Sequence, residues 1–259
     1  MRTMRMRRYF GHTYLEMAMA SKFARILLFG DSLTQYSFSP QDGGWGASIA
    51  DRFQRRADVV NRGFSGYNTE WAKLILPQLL LSKDQADLVV IFFGANDSSL
   101  PGPNPKQHVP LSNFRSNIVE MCTYLNSIGI GSSSLILVTP PALCESKWAL
   151  TCKERGSDTT DRSSANTQRY AQAVLDVGQE RDIVTLDLYG ELSKKSNLDE
   201  YLSDGLHLGQ KANEVLADLA IPALEAKLQG QFPDPVFPLW RDVDHKNLPQ
   251  SLGLLVNRE

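Results

Sequence analysis

The sequence predicts an α/β fold: a five-stranded parallel sheet with helices on both faces. Five short aliphatic runs alternate with five longer helical patterns, and that alternation demands parallel strands joined by right-handed crossovers. The runs are apolar almost without interruption, as strands covered on both faces must be. With 259 residues, 42% of them hydrophobic, the chain has enough apolar matter for one substantial core.

The first run, residues 25–30 (RILLFG), is aliphatic until glycine ends it. Residues 45–56 follow as a helical pattern, then a second strand at 58–63 (DVVNRG) and a helix over 69–81. The third strand, 87–94 (DLVVIFFG), precedes the clearest helix, 112–129. There Phe114, Ile118, Met121, Leu125 and Ile128 recur at spacings of 4, 3, 4 and 3, one apolar stripe with Gly129 as its stop. A fourth strand at 134–139 (SLILVT), a helix over 163–179, a fifth strand at 182–187 (DIVTLD) and a helix over 208–228 complete the series. Pro77 and Pro222 fall inside two helical patterns and are expected to kink or split them.

The ends differ from this body. Residues 1–22 hold five of the six methionines and four arginines, with no acidic residue before Glu16 and no apolar core of signal-peptide length. They read as an N-terminal extension on a cytoplasmic protein, with a mitochondrial transit peptide as the weaker alternative. Residues 23–228 form the expected domain. The tail, 229–259, opens with a Pro-rich aromatic stretch (FPDPVFPLW, 232–240) and is expected to lie extended on the surface. Three cysteines are too few for a disulfide framework, although pairing of Cys144 with Cys152 stays open. A net charge of -2 with both signs interspersed offers no basic stripe for nucleic acid, and no apolar run is long enough to span a bilayer.

In an open parallel sheet ligands bind at the carboxyl ends of the strands, and the residues with chemistry cluster there. Ser32 follows the first strand in Gly30-Asp31-Ser32-Leu33; its hydroxyl needs an adjacent base to act as a nucleophile. Of four histidines, His12 lies in the Arg-rich start, His245 in the tail, and His108 in a Pro-flanked loop without a neighbouring carboxylate. His207 has Asp204 three residues ahead, across a turn that Gly205 eases. A carboxylate so placed reaches Nδ1 and leaves Nε2 to take a proton. After the second strand Gly63 offers an unhindered backbone N–H, and after the third Asn96 offers a side-chain amide. With the N–H of Ser32, these are the expected oxyanion donors. Asp31 and Asp97 read as loop-holding carboxylates rather than acid/base groups, and Ser65, also at a strand end, is the rival nucleophile.

Gly30-Asp31-Ser32, Gly63, Gly94-Ala95-Asn96-Asp97 and Asp204-Gly205-Leu206-His207, in this order, resemble the four blocks of the SGNH (GDSL) hydrolases. The wider stretches 43–46 (GGWG), 61–68 (NRGFSGYN), 92–99 (FFGANDSS) and 201–208 (YLSDGLHL) are similar to the isoamyl acetate-hydrolysing esterase branch, from about Phe23 to about Asp244. The resemblance implies a flavodoxin-like three-layer α/β/α sandwich with strand order 2-1-3-4-5, no cofactor or metal, and hydrolysis of small carboxylic esters. It implies Ser32, Asp204 and His207 as the triad, and Ser32, Gly63 and Asn96 as the oxyanion hole.

The substrate pocket is expected to draw on Tyr36, Phe38, Phe64, Tyr67, Leu100 and the segment 140–152 containing Trp148, an apolar lining for a small-molecule ester. The tail aromatics Phe237 and Trp240 are expected to cover that pocket or to pack against a second subunit in a homodimer. Three other readings stand beside this one: an esterase on acetylated sugars, a binding module, and a catalytically inactive relative. A flavin or nucleotide module would want a glycine-rich phosphate loop after the first strand, which residues 31–36 lack.

Overall fold

The computed structural model describes residues 23–231 and 235–252. The N-terminal extension read at 1–22, with its transit-peptide alternative, lies outside them. The sheet strands are β1 (Ala24–Gly30), β2 (Ala57–Gly63), β3 (Leu88–Phe92), β4 (Leu135–Val138) and β5 (Val184–Leu186). In chain order the helices are α1 (Ser32–Gln35), α2 (Trp45–Arg52), α3 (Thr69–Leu79), α4 (Leu111–Ser127), α5 (Glu145–Glu154), α6 (Ser164–Arg181), α7 (Leu188–Ser193), α8 (Gln210–Leu228) and α9 (Leu248–Ser251). All four strand pairings are parallel, in the order β2-β1-β3-β4-β5. This is the expected three-layer, flavodoxin-like arrangement.

Side chains alternate across a strand, so β1 feeds two separate cores. Ile26 and Leu28 pack with Trp45, Ile49 and Phe53 around α2 and with Leu216, Ala220 and Leu224 of α8. Leu27 and Phe29 pack with Ala72 and Leu76 of α3, with Phe114, Ile118 and Met121 of α4, and with Tyr170, Val174 and Val177 of α6. The register places Gly30 beside Gly63 on one side and Phe92 on the other, so the loops leaving β1, β2 and β3 start level.

Several expectations are corrected. β2 and β5 are edge strands and only partly covered, unlike β1, β3 and β4. Their lone flanking partners leave one side without a neighbour, so continuous apolar character was a poor guide at the edges. Neither Pro77 nor Pro222 splits its helix. An interior proline costs about 3 kcal/mol, whereas each fully buried leucine contributes about 1.5–3 kcal/mol. Leu216, Leu224 and Leu228 are all buried along α8, on both sides of Pro222, and their burial holds the helix together. Residues 145–154, expected as a pocket loop, form α5, and the last helix of the first crossover stops at Arg52, short of the expected residue 56, with Arg55 left-handed (φ 62) beyond it.

The tail is anchored far from the carboxyl ends of the strands. Val236 N–H donates to Arg55 O at 3.1 Å, and the Arg55 guanidinium donates to Phe237 O at 3.0 Å and Pro238 O at 2.6 Å. Phe237 stacks on Phe23, the residue before β1. Arg55 precedes β2, so these contacts lie at the amino-terminal edge of the sheet. The expectation that Phe237 covers the pocket is thereby overturned, and Trp240 is 85% exposed. Among the described residues the tail adds no layer, but it is not wholly extended: residues 240–242 and α9 are short turns of helix.

Candidate active site

β1 delivers Ser32 to the sheet's carboxyl edge through a one-residue turn. Asp31 caps α1, its Oδ1 accepting from Leu33 N–H at 2.9 Å. The buried indole of Trp45 donates from Nε1 to Leu33 O at 3.0 Å, tying the same turn to α2. Ser32 is itself buried, and its N–H has no partner among the described residues.

His207 arrives from the turn before α8. Asp204 Oδ1 accepts the amides of Leu206 (3.0 Å) and His207 (2.8 Å), which folds the turn back on itself. Gly205 sits at φ +95, and a Cβ there would meet Trp148 N at 2.4 Å, so the tight turn packs directly on α5. Asp204 Oδ2 lies 2.8 Å from His207 Nδ1, and His207 Nε2 lies 2.9 Å from Ser32 Oγ. A carboxylate only accepts, so Nδ1 carries the proton, Nε2 is the acceptor, and the serine hydroxyl donates to it. Burial by itself would raise the Asp204 pKa. Hydrogen bonds from the His207 side chain and amide overrule it and hold the carboxyl well below its usual range. Arg155 adds a further donor to Oδ2 at 3.2 Å.

The three remaining histidines do not compete. His108 Nδ1 is engaged with Ser99 O at 2.6 Å, His245 is exposed in the tail, and His12 lies outside the described residues. Ser65 is exposed and its amide donates to Gln35 Oε1; nothing links its hydroxyl to a base.

The oxyanion side departs from expectation at one position. Gly63 N–H donates to Asn61 Oδ1 at 2.8 Å, so its single hydrogen is engaged. A Cβ at Gly63 would meet Gln35 N at 1.9 Å, which gives this glycine another reason to exist: close approach of β2 to α1. Three residues on, Gly66 adopts φ +81, a conformation that favours glycine, and its N–H has no partner among the described residues. Asn96 is tied to the next residue along: Asn96 Nδ2 donates to Tyr67 O at 2.9 Å. Gly66 stood within the stretch 61–68 but gave no signal separating it from Gly63, because both are glycines at a strand end.

Arg162 was equally silent in the sequence. It is 5% exposed, donates from Nη2 to Asn96 Oδ1 at 3.1 Å, and stacks on Trp148 at 5.4 Å. Trp148, expected to line the pocket, is instead buried with its Nε1 on Asp161 Oδ1 at 2.9 Å. Phe64 and Tyr67 pack on each other. Beside Ser32 and His207 opens a cleft of about 340 Å³ lined by Tyr36, Leu33, Leu208, Ser39, Asp42, Ser203 and Arg155, more polar than expected.

Asp31 and Asp97 hold their loops as expected. Asp97 Oδ1 accepts from Thr69 N–H at 2.8 Å and from the Thr69 hydroxyl. Both carboxyls are fully buried, and burial pushes each up to about 7. The three cysteines are unpaired. Among the described residues no cluster of His, Cys, Asp or Glu is placed to hold a metal ion, and no helix is long and apolar enough to cross a membrane.

Residues 28–215 match the GDSL-like Lipase/Acylhydrolase family. The chain belongs to that family. As a GDSL-family member it is a carboxylic ester hydrolase. It is 48% identical over 223 residues to the isoamyl acetate-hydrolyzing esterase 1 homolog of Bos taurus, covering 85% of this chain and 88% of that one. Against the isoamyl acetate-hydrolyzing esterase of Saccharomyces cerevisiae it is 29% identical, covering 85% and 95%. Among solved GDSL-type structures, a lipase/acylhydrolase from Enterococcus faecalis superposes with a TM-score of 0.63 at 27% identity, covering 79% of this chain and 97% of that one.

Proposed function

We propose that the protein hydrolyses acetate esters of small alcohols through an acyl-enzyme on Ser32. The observation that carries this is the unbroken relay from Asp204 Oδ2 through His207 to Ser32 Oγ, with links of 2.8 and 2.9 Å. The names of its relatives, which specify isoamyl acetate, support the acetate preference.

Ser32 Oγ attacks the ester carbonyl as Nε2 of His207 takes its proton, and Asp204 stabilises the imidazolium that forms. The oxyanion is held by the N–H of Ser32, Nδ2 of Asn96 and the N–H of Gly66, which replaces Gly63 in that role because the Gly63 hydrogen is already given to Asn61. His207 then protonates the departing alcohol and activates the water that releases acetate.

A phosphonate ester should label one residue, Ser32, and in the structure of that adduct the phosphoryl oxygen should lie within hydrogen-bonding distance of Gly66 N. Contact with Gly63 N instead would restore the original assignment. Alkyl acetates should be turned over faster than acetylated xylose; the reverse preference would redirect the reading to sugar esters. Asn96→Ala should lower kcat by on the order of 10²–10³, and a loss under about tenfold would remove it from the oxyanion hole.

A further inference from the structure

We propose that Arg162 is a positioning residue for the acyl-transfer step: it fixes the Asn96 amide with its donor end toward the oxyanion. This rests on the assignment of Asn96 as an oxyanion donor. A primary amide has two ends of similar shape and opposite polarity, and an unconstrained Asn can turn either one toward the reacting carbonyl. A carbonyl end turned that way would repel the oxyanion. Arginine has five donors and no acceptor, so only Oδ1 can face it. Arg162 Nη2 sits 3.1 Å from Asn96 Oδ1, while on the opposite end Nδ2 gives one hydrogen to Tyr67 O at 2.9 Å. The second Nδ2 hydrogen has no partner among the described residues and is the one left for the substrate.

The guanidinium is itself held from several sides, so it transmits little freedom. Nη1 donates to Ala95 O, the carbonyl just before Asn96, and Nη2 also reaches Gln107 Oε1 at 3.2 Å. Its face lies over Trp148, and the Trp148 indole is pinned to Asp161, the neighbour of Arg162 in sequence. Asn104 completes the support with hydrogen bonds to Asp161 Oδ2 (2.7 Å) and Gln107 Oε1 (2.8 Å). Asp161 and Arg162 come from the loop before α6; the histidine turn meets this cluster through the packing of Gly205 on Trp148, and neither Ser32 nor His207 hydrogen-bonds to Arg162. Arg162 attracts the Asp31 and Asp204 carboxylates through space, but its one hydrogen bond to the proposed machinery is to the amide of Asn96.

The test is a double-mutant cycle between Asn96→Ala and Arg162→Met on 4-nitrophenyl acetate, with active sites counted by phosphonate titration so that unfolded protein does not enter kcat. Arg162→Met alone should lower kcat tenfold or more with KM within about threefold, since the donor acts on the transition state and not on the bound ester. Added to Asn96→Ala, it should cost no further factor above about two to three. If its loss multiplies through in the Asn96→Ala background, Arg162 acts by another route and the proposal falls. If Asn96→Ala alone costs less than tenfold, the oxyanion assignment fails first, and the positioning role goes with it. Arg162→Lys supplies a readout should Arg162→Met not fold. It keeps the buried positive charge but loses the fork that addresses Ala95 O and Asn96 Oδ1 together, so it should lower kcat in the parent and change it by no more than about two- to threefold in the Asn96→Ala background. An equal loss in both backgrounds would overturn the proposal.

Discussion

Asp204 divides its two oxygens between two tasks: Oδ1 shapes the turn by accepting two amides, and Oδ2 faces the imidazole. Asparagine at 204 keeps a carbonyl oxygen for the amides and is nearly isosteric, so the turn survives. What changes is the partner of Nδ1, which now meets an N–H and must become the acceptor. The ring proton moves to Nε2, where it opposes the Ser32 hydroxyl. Asp204→Asn should therefore reduce kcat by on the order of 10⁴ with the melting temperature nearly unchanged. A reduction under tenfold would show that the histidine does not depend on this carboxylate for its tautomer.

At the scale of elements, the turn that carries Ser32 is braced by α2 through a single indole. Trp45 fills the core between α2 and the sheet and spends its only polar atom on Leu33 O, one residue past Ser32. Trp45→Phe keeps an aromatic ring there but leaves that carbonyl unpaired in a buried place, at about 1–3 kcal/mol. For a chain of this size that is roughly 2–12 °C in melting temperature. Because the freed carbonyl belongs to the nucleophile's turn, kcat should fall by more than KM rises; a melting change with kinetics untouched would deny the coupling. This brace was invisible in the sequence, where GGWG offered only a helix start. The strands and the long helices were legible because they repeat a pattern along one stretch of chain: the spacing of Phe114, Ile118, Met121 and Leu125 is local information. The Asp204–His207–Ser32 hydrogen-bond relay was legible because Asp204 and His207 lie three residues apart and Ser32 follows a strand. The places of Arg162 and Trp45, and the engagement of the Gly63 N–H where that of Gly66 is left without a partner among the described residues, depend on which group meets which across the fold. No spacing encodes that. Trp148 shows the converse error: an aromatic near the site by sequence was assigned to substrate, yet its indole is turned inward to Asp161.

For the molecule as a whole, two features set behaviour away from the chemistry. One is the tail, whose contacts at Phe23 and Arg55 lie a full strand, roughly 20 Å, from Ser32. Truncation after Gln229 should lower the melting temperature while leaving kcat/KM within about twofold; a loss above tenfold would place the tail at the site after all. The other is pH. Asp97 in an unfolded chain ionises near 3.8, but in the fold burial, opposed only in part by the Thr69 hydrogen bonds, moves this to about 7. Between those values the folded state holds a proton that the unfolded state has released. Stability thus declines as pH climbs from about 4 to 7 and levels off above. Oδ2 of Asp97 is buried without a hydrogen-bond partner, so nothing there stabilises the ionised form. Asp97→Asn keeps the oxygen that Thr69 addresses and carries no titrating proton. The wild type should accordingly hold its largest advantage in melting temperature over Asp97→Asn near pH 4, and that advantage should shrink steadily to pH 7 and stay small at pH 8. A difference constant across this range would mean that Asp97 is ionised in the fold throughout, with its charge answered by a partner other than Thr69.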